Sequence, residues 1–293
     1  MQVYIDKYTD FMTNVKHKSI STVESYKRDV NRYMEYLNNS GINNINTVTS
    51  NNITSYLSFL EERGKAASTV SRALAALKSF YIFMIQNGSV DNNPTLTLES
   101  PHVERKLPTV LSGKEIDALL DAPDSSDKGC RDKAMLELLY ATGIRVSELI
   151  ELKVSDVNLT LNYIKIYGDK KDRNVPFGNK AHKALVKYIK KIRPNMIKDK
   201  SEEYLFVNCN GSKISRQGFW KLVKQYQHDA NINKDITPHM LRHSFAAHLL
   251  ENGADIKSIQ EMMGHADKAS TQIYSRIVST KIHDVYAKAH PRA

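Results

Sequence analysis

The chain has 293 residues, enough for two domains with a hydrophobic core each. It contains no apolar run near the ~18 residues of a membrane span, and Met1-Gln2-Val3-Tyr4-Ile5-Asp6-Lys7 lacks the apolar centre of a secretory signal, which predicts a cytoplasmic protein with no membrane partner. The net charge is +10, and its excess lies mostly in the second part: residues 1–106 carry 12 basic and 10 acidic side chains, residues 107–293 carry 30 and 22, a balance that suits nucleic acid.

Residues 1–90 read as a bundle of about four helices. Ile5, Tyr8, Phe11 and Met12 predict a short helix before Lys16. Tyr26, Val30, Tyr33, Met34 and Leu37 form an apolar stripe over Ser19–Asn38, and Ser21 with Glu24 has the S-x-x-E pattern of a capping box at its start. Ile53, Leu57 and Leu60 mark a helix from about Ser50 to Arg63, ended by Gly64. A further helix runs from about Ser68 to Gln86, and Ser68, Ser71, Arg72 and Lys78 on it, with Lys65, are candidate phosphate contacts. Pro94, Pro101 and Pro108 resist a continuous helix, so residues 91–111 are expected to link two domains.

Residues 112–293 are expected to form the second domain. Ser112 caps a helix over Gly113–Asp121, Asp127–Tyr140 is rich in Ala, Met and Leu, and Arg145 opens a short helix through Leu152. The period then changes. Asn162–Tyr167 alternates as a half-buried strand does, Gly168–Lys171 reads as a turn, Arg173–Phe177 as the returning strand, and Tyr204–Val207 as another short strand. Helices resume over Ala181–Ile192, Arg216–Ala230, Pro238–Glu251 and Asp255–Met263. Two of them, Ala181–Ile192 and Arg216–Ala230, are further candidates to lie on DNA. Val278, Ile282, Val285 and Tyr286 recur at steps of three and four, the spacing of a terminal helix that must dock on something. The fold class expected is mainly α, with one small antiparallel sheet. Cys130 and Cys209 have no CxxC neighbour and read as ordinary thiols.

The chemistry concentrates near the C-terminus. Pro238-His239-Met240-Leu241-Arg242-His243 opens a helix at Thr237, so His239 and Arg242 lie three apart at an end whose free N–H groups favour a phosphate. Gly264-His265 and Ile273-Tyr274 follow, and Arg145 sits upstream in Thr142-Gly143-Ile144-Arg145. Arginine offers a planar fork for two phosphate oxygens, with Glu148 one helical turn on to orient it. A phenol is a weak nucleophile until neighbouring cations and a base activate it. Taken singly, each residue has an ordinary structural reading: a surface histidine, a salt-bridged arginine, one tyrosine among 15. The ordered set carries the inference.

That set, Arg…Lys…His-x-x-Arg…His…Tyr, with 23 residues from Arg242 to His265 and 9 more to Tyr274, resembles the tyrosine recombinases over nearly the whole chain, and within them the Xer branch. The resemblance implies a SAM-like core-binding domain over 1–90 and a catalytic domain over 112–293. It implies that Arg145 and Arg242 clamp the scissile phosphate, His239 takes the tyrosine proton, His265 binds a non-bridging oxygen and Tyr274 attacks. The catalytic lysine should lie on the turn Gly168-Asp169-Lys170-Lys171-Asp172-Arg173, one residue shorter than the family's usual Gly-Lys-Gly-x-Lys-x-Arg. Lys170 is favoured over Lys171. Cofactors are expected to be none: no metal-ligand spacing or G-x-x-x-x-G-K is present. Partners implied are double-stranded DNA, a homo- or hetero-tetramer on two sites, a second Xer recombinase in the hetero case, and an FtsK-type translocase. The terminal helix is implied to pack into a neighbouring protomer. The expected role is resolution of chromosome dimers at a dif-like site. A mobile-element integrase, a type IB topoisomerase-like enzyme and a DNA-binding protein without catalysis are the alternatives.

Overall fold

Contacts divide the chain into two units, Met1–Arg105 and Lys106–Ala293. A computed structural model of the protein describes residues 2–101, 109–168 and 172–264. The expected terminal helix around Ile282 lies outside them.

The first unit is the expected helical bundle. Helix α1 (Gln2–Asp10) runs into a π-helical turn, Phe11–Val15, and is followed by α2 (Ile20–Asn39), α3 (Ser50–Glu62) and α4 (Ala67–Gln86). The last of these packs against the other three. Its core is rich in tyrosine: Tyr33 and Tyr81 share a 3.0 Å hydrogen bond, and the Tyr33 ring meets Tyr56 edge-on at 5.1 Å. Helix α2 starts earlier than its S-x-x-E pattern suggests. Ser19, not Ser21, has the extended backbone of a cap, and its hydroxyl accepts the Thr22 N–H at 3.3 Å. Ser21 lies inside the first turn. Arg72, a candidate phosphate contact, gives two donors at 2.8 and 3.1 Å to buried Asp29.

The second unit is built on a helix buried on nearly every side. Helix α5 (Gly113–Asp121) has the capping box expected at Ser112, with Glu115 accepting the Ser112 N–H at 2.7 Å. Helix α6 (Asp127–Thr142) follows, and five of its apolar side chains, Ala134, Met135, Leu136, Leu138 and Leu139, are fully enclosed. Arg131 and Asp132 are buried with them and pair with each other at 2.6 Å, so the helix is a core element despite its charges. After α7 (Val146–Glu151) come β1 (Val157–Asn158), β2 (Tyr163–Ile166) and β3 (Arg173–Pro176), an antiparallel sheet in that order. Ile164 lies opposite both Val157 and Val175, and period-two alternation turns Ile164, Ile166 and Val175 inward. Helices α8 (Asn179–Lys187, prolonged by the π-turn Tyr188–Ile192), α9 (Arg193–Met196), α10 (Arg216–Asp229), α11 (Pro238–Glu251) and α12 (Ile256–Met263) complete the described part.

Tyr204–Val207 does not form the strand expected of it. It makes only single bridges, Lys153 with Tyr204 and Val207 with Lys213, and β1 is the third strand instead. The reason is where its carbonyls go. Arg193 donates to the oxygens of Tyr204 and Leu205, and Tyr188 also donates to Leu205, so side chains replace the ladder.

Helix α6 stops at Gly143, which has φ of 58° and returns its N–H to Leu139 at 2.9 Å. A Cβ there would stand 2.2 Å from the Phe245 ring. Left-handed strain and overpacking should therefore make Gly143→Ala less stable by about 2 kcal/mol or more. Urea unfolding measures this, and an unchanged midpoint would contradict the packing.

Candidate active site

The turn at Gly143 delivers Arg145 to the N-terminus of α7. Arg145 has extended backbone there, and its side chain is 42% exposed. Glu148, one turn along, accepts the Arg145 backbone N–H at 2.7 Å and Nη1 at 3.1 Å. A carboxylate in the first turn also suits the positive end of the helix. The expected orienting contact is present, and it is made twice.

Helix α11 begins as its sequence predicts. Thr237 accepts the Met240 N–H at 3.1 Å and Pro238 takes the first position. His239 is exposed on this turn, while Arg242 points inward and is 5% exposed. Arg242 donates through Nη1 to the Gly143 carbonyl and through Nη2 to the Met263 carbonyl at 2.6 Å. Ser244 steadies the helix from behind, accepting the Leu111 N–H at 2.9 Å and donating to Met240 at 2.8 Å. His243 is half-buried. Burial, then the nearby His239 and Arg242, push its imidazole pKa down to about 4, so it is neutral at physiological pH.

Helix α12 brings the two arginines together. It ends in left-handed Gly264, with φ of 63°, and its last carbonyls have no partner within the helix. Three successive carbonyls accept guanidinium donors: Met262 from Arg173 Nε at 2.9 Å, Met263 from Arg242, and Gly264 from Arg145 Nη2 at 3.2 Å. Arg173 also gives Nη2 to both oxygens of Glu148 at 2.9 Å. Arg145 and Arg242, 97 positions apart, thus meet at the chain that leads directly into His265. Lys170, its alternative Lys171, His265 and Tyr274 lie outside the described residues.

Arg173 is the residue to which reading the sequence gave no role, although it was read as the end of the turn that matches the family's Gly-Lys-Gly-x-Lys-x-Arg and as the start of a strand. A signal was available. Alternation along β3 puts Arg173 on the same face as Val175, opposite Ile166, and an inward arginine requires partners. Together the site presents charged forks around one end of a helix, a geometry able to grip an oxyanion and stabilise charge that grows on it.

Comparison with known proteins agrees with this geometry. The phage integrase family model matches residues 109–280, and the phage integrase N-terminal SAM-like domain matches residues 5–88. The chain is 42% identical to the tyrosine recombinase XerD of Staphylococcus epidermidis over 295 aligned positions, covering 100% of each chain. It belongs to the phage integrase family, the tyrosine recombinases. As a member of that family it is a site-specific recombinase, an enzyme that cuts and rejoins DNA strands. The crystal structure of XerA recombinase is 30% identical, with a TM-score of 0.56, covering 100% of this chain and 99% of that one. The structure of XerH recombinase bound to a palindromic difH substrate after cleavage shares the fold, with a TM-score of 0.78 at 20% identity over 97% of this chain and 84% of that one.

The depressed His243 pKa has a consequence for this recombinase. Between its ordinary value of 6.5 and about 4, the unfolded imidazole holds a proton that the folded one refuses, so stability falls as pH falls through that window. His243→Gln should lose this component, gaining on the wild type by on the order of 2 kcal/mol between neutral and mildly acid pH. Denaturant unfolding across that range measures it. A constant difference between the two proteins would contradict a buried neutral His243.

Proposed function

We propose that this recombinase resolves chromosome dimers by exchanging strands at paired dif-like DNA sites in the cytoplasm. The observation that carries the reading is the meeting of Arg145 and Arg242 on successive carbonyls of α12, one residue before His265. It is supported by full-length similarity to XerD proteins and by a fold shared with XerH on difH DNA.

In this reading Arg145 and Arg242 hold the non-bridging oxygens of the scissile phosphate. His265 adds a hydrogen bond to the same group. The Tyr274 oxygen attacks phosphorus, His239 accepts the phenolic proton, and Lys170, or Lys171 in its place, donates a proton to the departing 5′ oxygen. The bond formed is a 3′-phosphotyrosine and the bond broken is the 5′ P–O bond. Because one phosphodiester is exchanged for another of similar energy, the reaction needs neither ATP nor a metal ion. The freed 5′ hydroxyl then attacks the phosphotyrosine on the partner duplex, and a Holliday junction forms.

Residues 1–90 serve as the core-binding domain, 91–111 as a linker and 112–293 as the catalytic domain. Arg216, Trp220 and Lys221 are exposed along α10, and such a face offers cations for phosphates and a ring for stacking. Four protomers, of this chain alone or with a second Xer recombinase, assemble on two sites, and an FtsK-type translocase activates them. No helix among the described residues is long and apolar enough to cross a membrane.

The test is a nicked suicide substrate, which traps the covalent intermediate. Tyr274→Phe should bind a single site as the wild type does and form no adduct on a denaturing gel. An adduct at wild-type level would exclude Tyr274 as the nucleophile.

A further inference from the structure

Arg173 has no part in the proton and phosphoryl transfers, yet it lies between the groups that make them. It opens β3, three positions after Lys170 in the sequence, and its side chain is 14% exposed. Its fork spans two elements: Nη2 binds both oxygens of Glu148 on α7, and Nε binds the Met262 carbonyl on α12. The same Glu148 carboxylate holds Nη1 of Arg145 at 3.1 Å. The same α12 terminus receives Arg145 and Arg242 on the next two carbonyls.

Gly264 fits this arrangement closely. A Cβ at Gly264 would lie 2.8 Å from both Cζ and Nη1 of Arg173. The guanidinium therefore occupies the space that a side chain at residue 264 would take. A side chain at residue 264 would force the Arg173 guanidinium to shift and would be strained at φ of 63°.

We infer that Arg173 is a positioning residue for strand cleavage: through Glu148 it sets the fork of Arg145, and through Met262 it sets the α12 terminus from which His265 departs. The inference deepens the recombinase reading and rests on it. Lysine cannot replace arginine here, because a single ammonium lacks the planar fork that reaches two acceptors at fixed angles. Without Arg173, Glu148 keeps one guanidinium instead of two and is held from one side only, by the Arg145 backbone N–H and Nη1. Arg145 then loses the geometry needed when charge develops on the phosphate, while remaining able to attract DNA.

The experiment compares the full-length wild type and Arg173→Ala on two nicked suicide substrates. One carries an ordinary scissile phosphate. The other carries a methylphosphonate, which has no negative charge at that position and depends less on a guanidinium grip. On the phosphate substrate, Arg173→Ala should form the covalent adduct about tenfold or more slowly than wild type. Its affinity for a single site should change by no more than about twofold, since most of the affinity comes from other phosphate contacts. On the methylphosphonate substrate the defect relative to wild type should shrink to about threefold or less, as the charge to be gripped is gone.

A residue that merely holds the fold would slow both substrates alike, and that result would overturn the role. So would an adduct rate close to wild type on the phosphate. Should Arg173→Ala fail to fold, Glu148→Gln carries the same test. It keeps the shape of the carboxylate and removes the charge that joins the two forks, so the same substrate-dependent defect is expected, and its absence counts against the role. If the wild type itself forms no adduct with either substrate, the recombinase reading falls, and this role with it.

Discussion

The structure of the second unit depends on gathering like charges. Arg145, Arg173 and Arg242 come from three separate elements and converge on the last carbonyls of α12. Three guanidinium groups so close repel one another, and among the described residues the Glu148 carboxylate joins two of them, Arg145 and Arg173. The remaining compensation is the carbonyl end of a helix, which carries partial negative charge and acceptors with no partner of their own. Three guanidinium groups against one carboxylate leave these four side chains with a positive balance, which suits an oxyanion.

Other features follow from that constraint. The left-handed turn at Gly143 exposes the carbonyl that accepts Arg242 and directs Arg145 to the start of α7. The left-handed turn at Gly264 exposes the next carbonyls and leaves room for Arg173. The Phe245 ring fills the space beside Gly143, coupling α11 to the end of α6. Helix α6 is enclosed by apolar contacts, which gives the charged groups a rigid support on one side. Rigid support matters because donors already aimed at developing charge need not reorganise during the reaction.

Much of this was legible in the chain. Helical spacing located the N-terminal bundle and nearly every helix of the second unit, and Ser112 and Thr237 marked their helix starts correctly. The Ser21–Glu24 pattern misled because Ser19, two residues earlier, is also a good cap and already has the extended backbone. Tyr204–Val207 misled because its apolar run suits a strand, whereas the satisfaction of its carbonyls by Arg193 and Tyr188 depends on distant side chains. Arg145, Glu148, His239 and Arg242 could be proposed from local order and from family resemblance. The role of the α12 carbonyls as the shared anchor of Arg145 and Arg242 could not, since a backbone acceptor has no signature in a sequence. Arg173 was legible in part: alternation along β3 turns it inward with Val175, but its partners on α7 and α12 come from distant parts of the chain.

The exposed member of this cluster should act on the transition state more than on DNA binding. Arg145→Ala tests it directly, because its side chain is partly exposed and its loss leaves the core intact. Single-turnover cleavage of a suicide substrate and single-site affinity should be measured side by side. Cleavage should slow by about a hundredfold or more, while affinity falls far less, one phosphate contact being a small share of the total. Equal losses in cleavage and affinity would contradict the account.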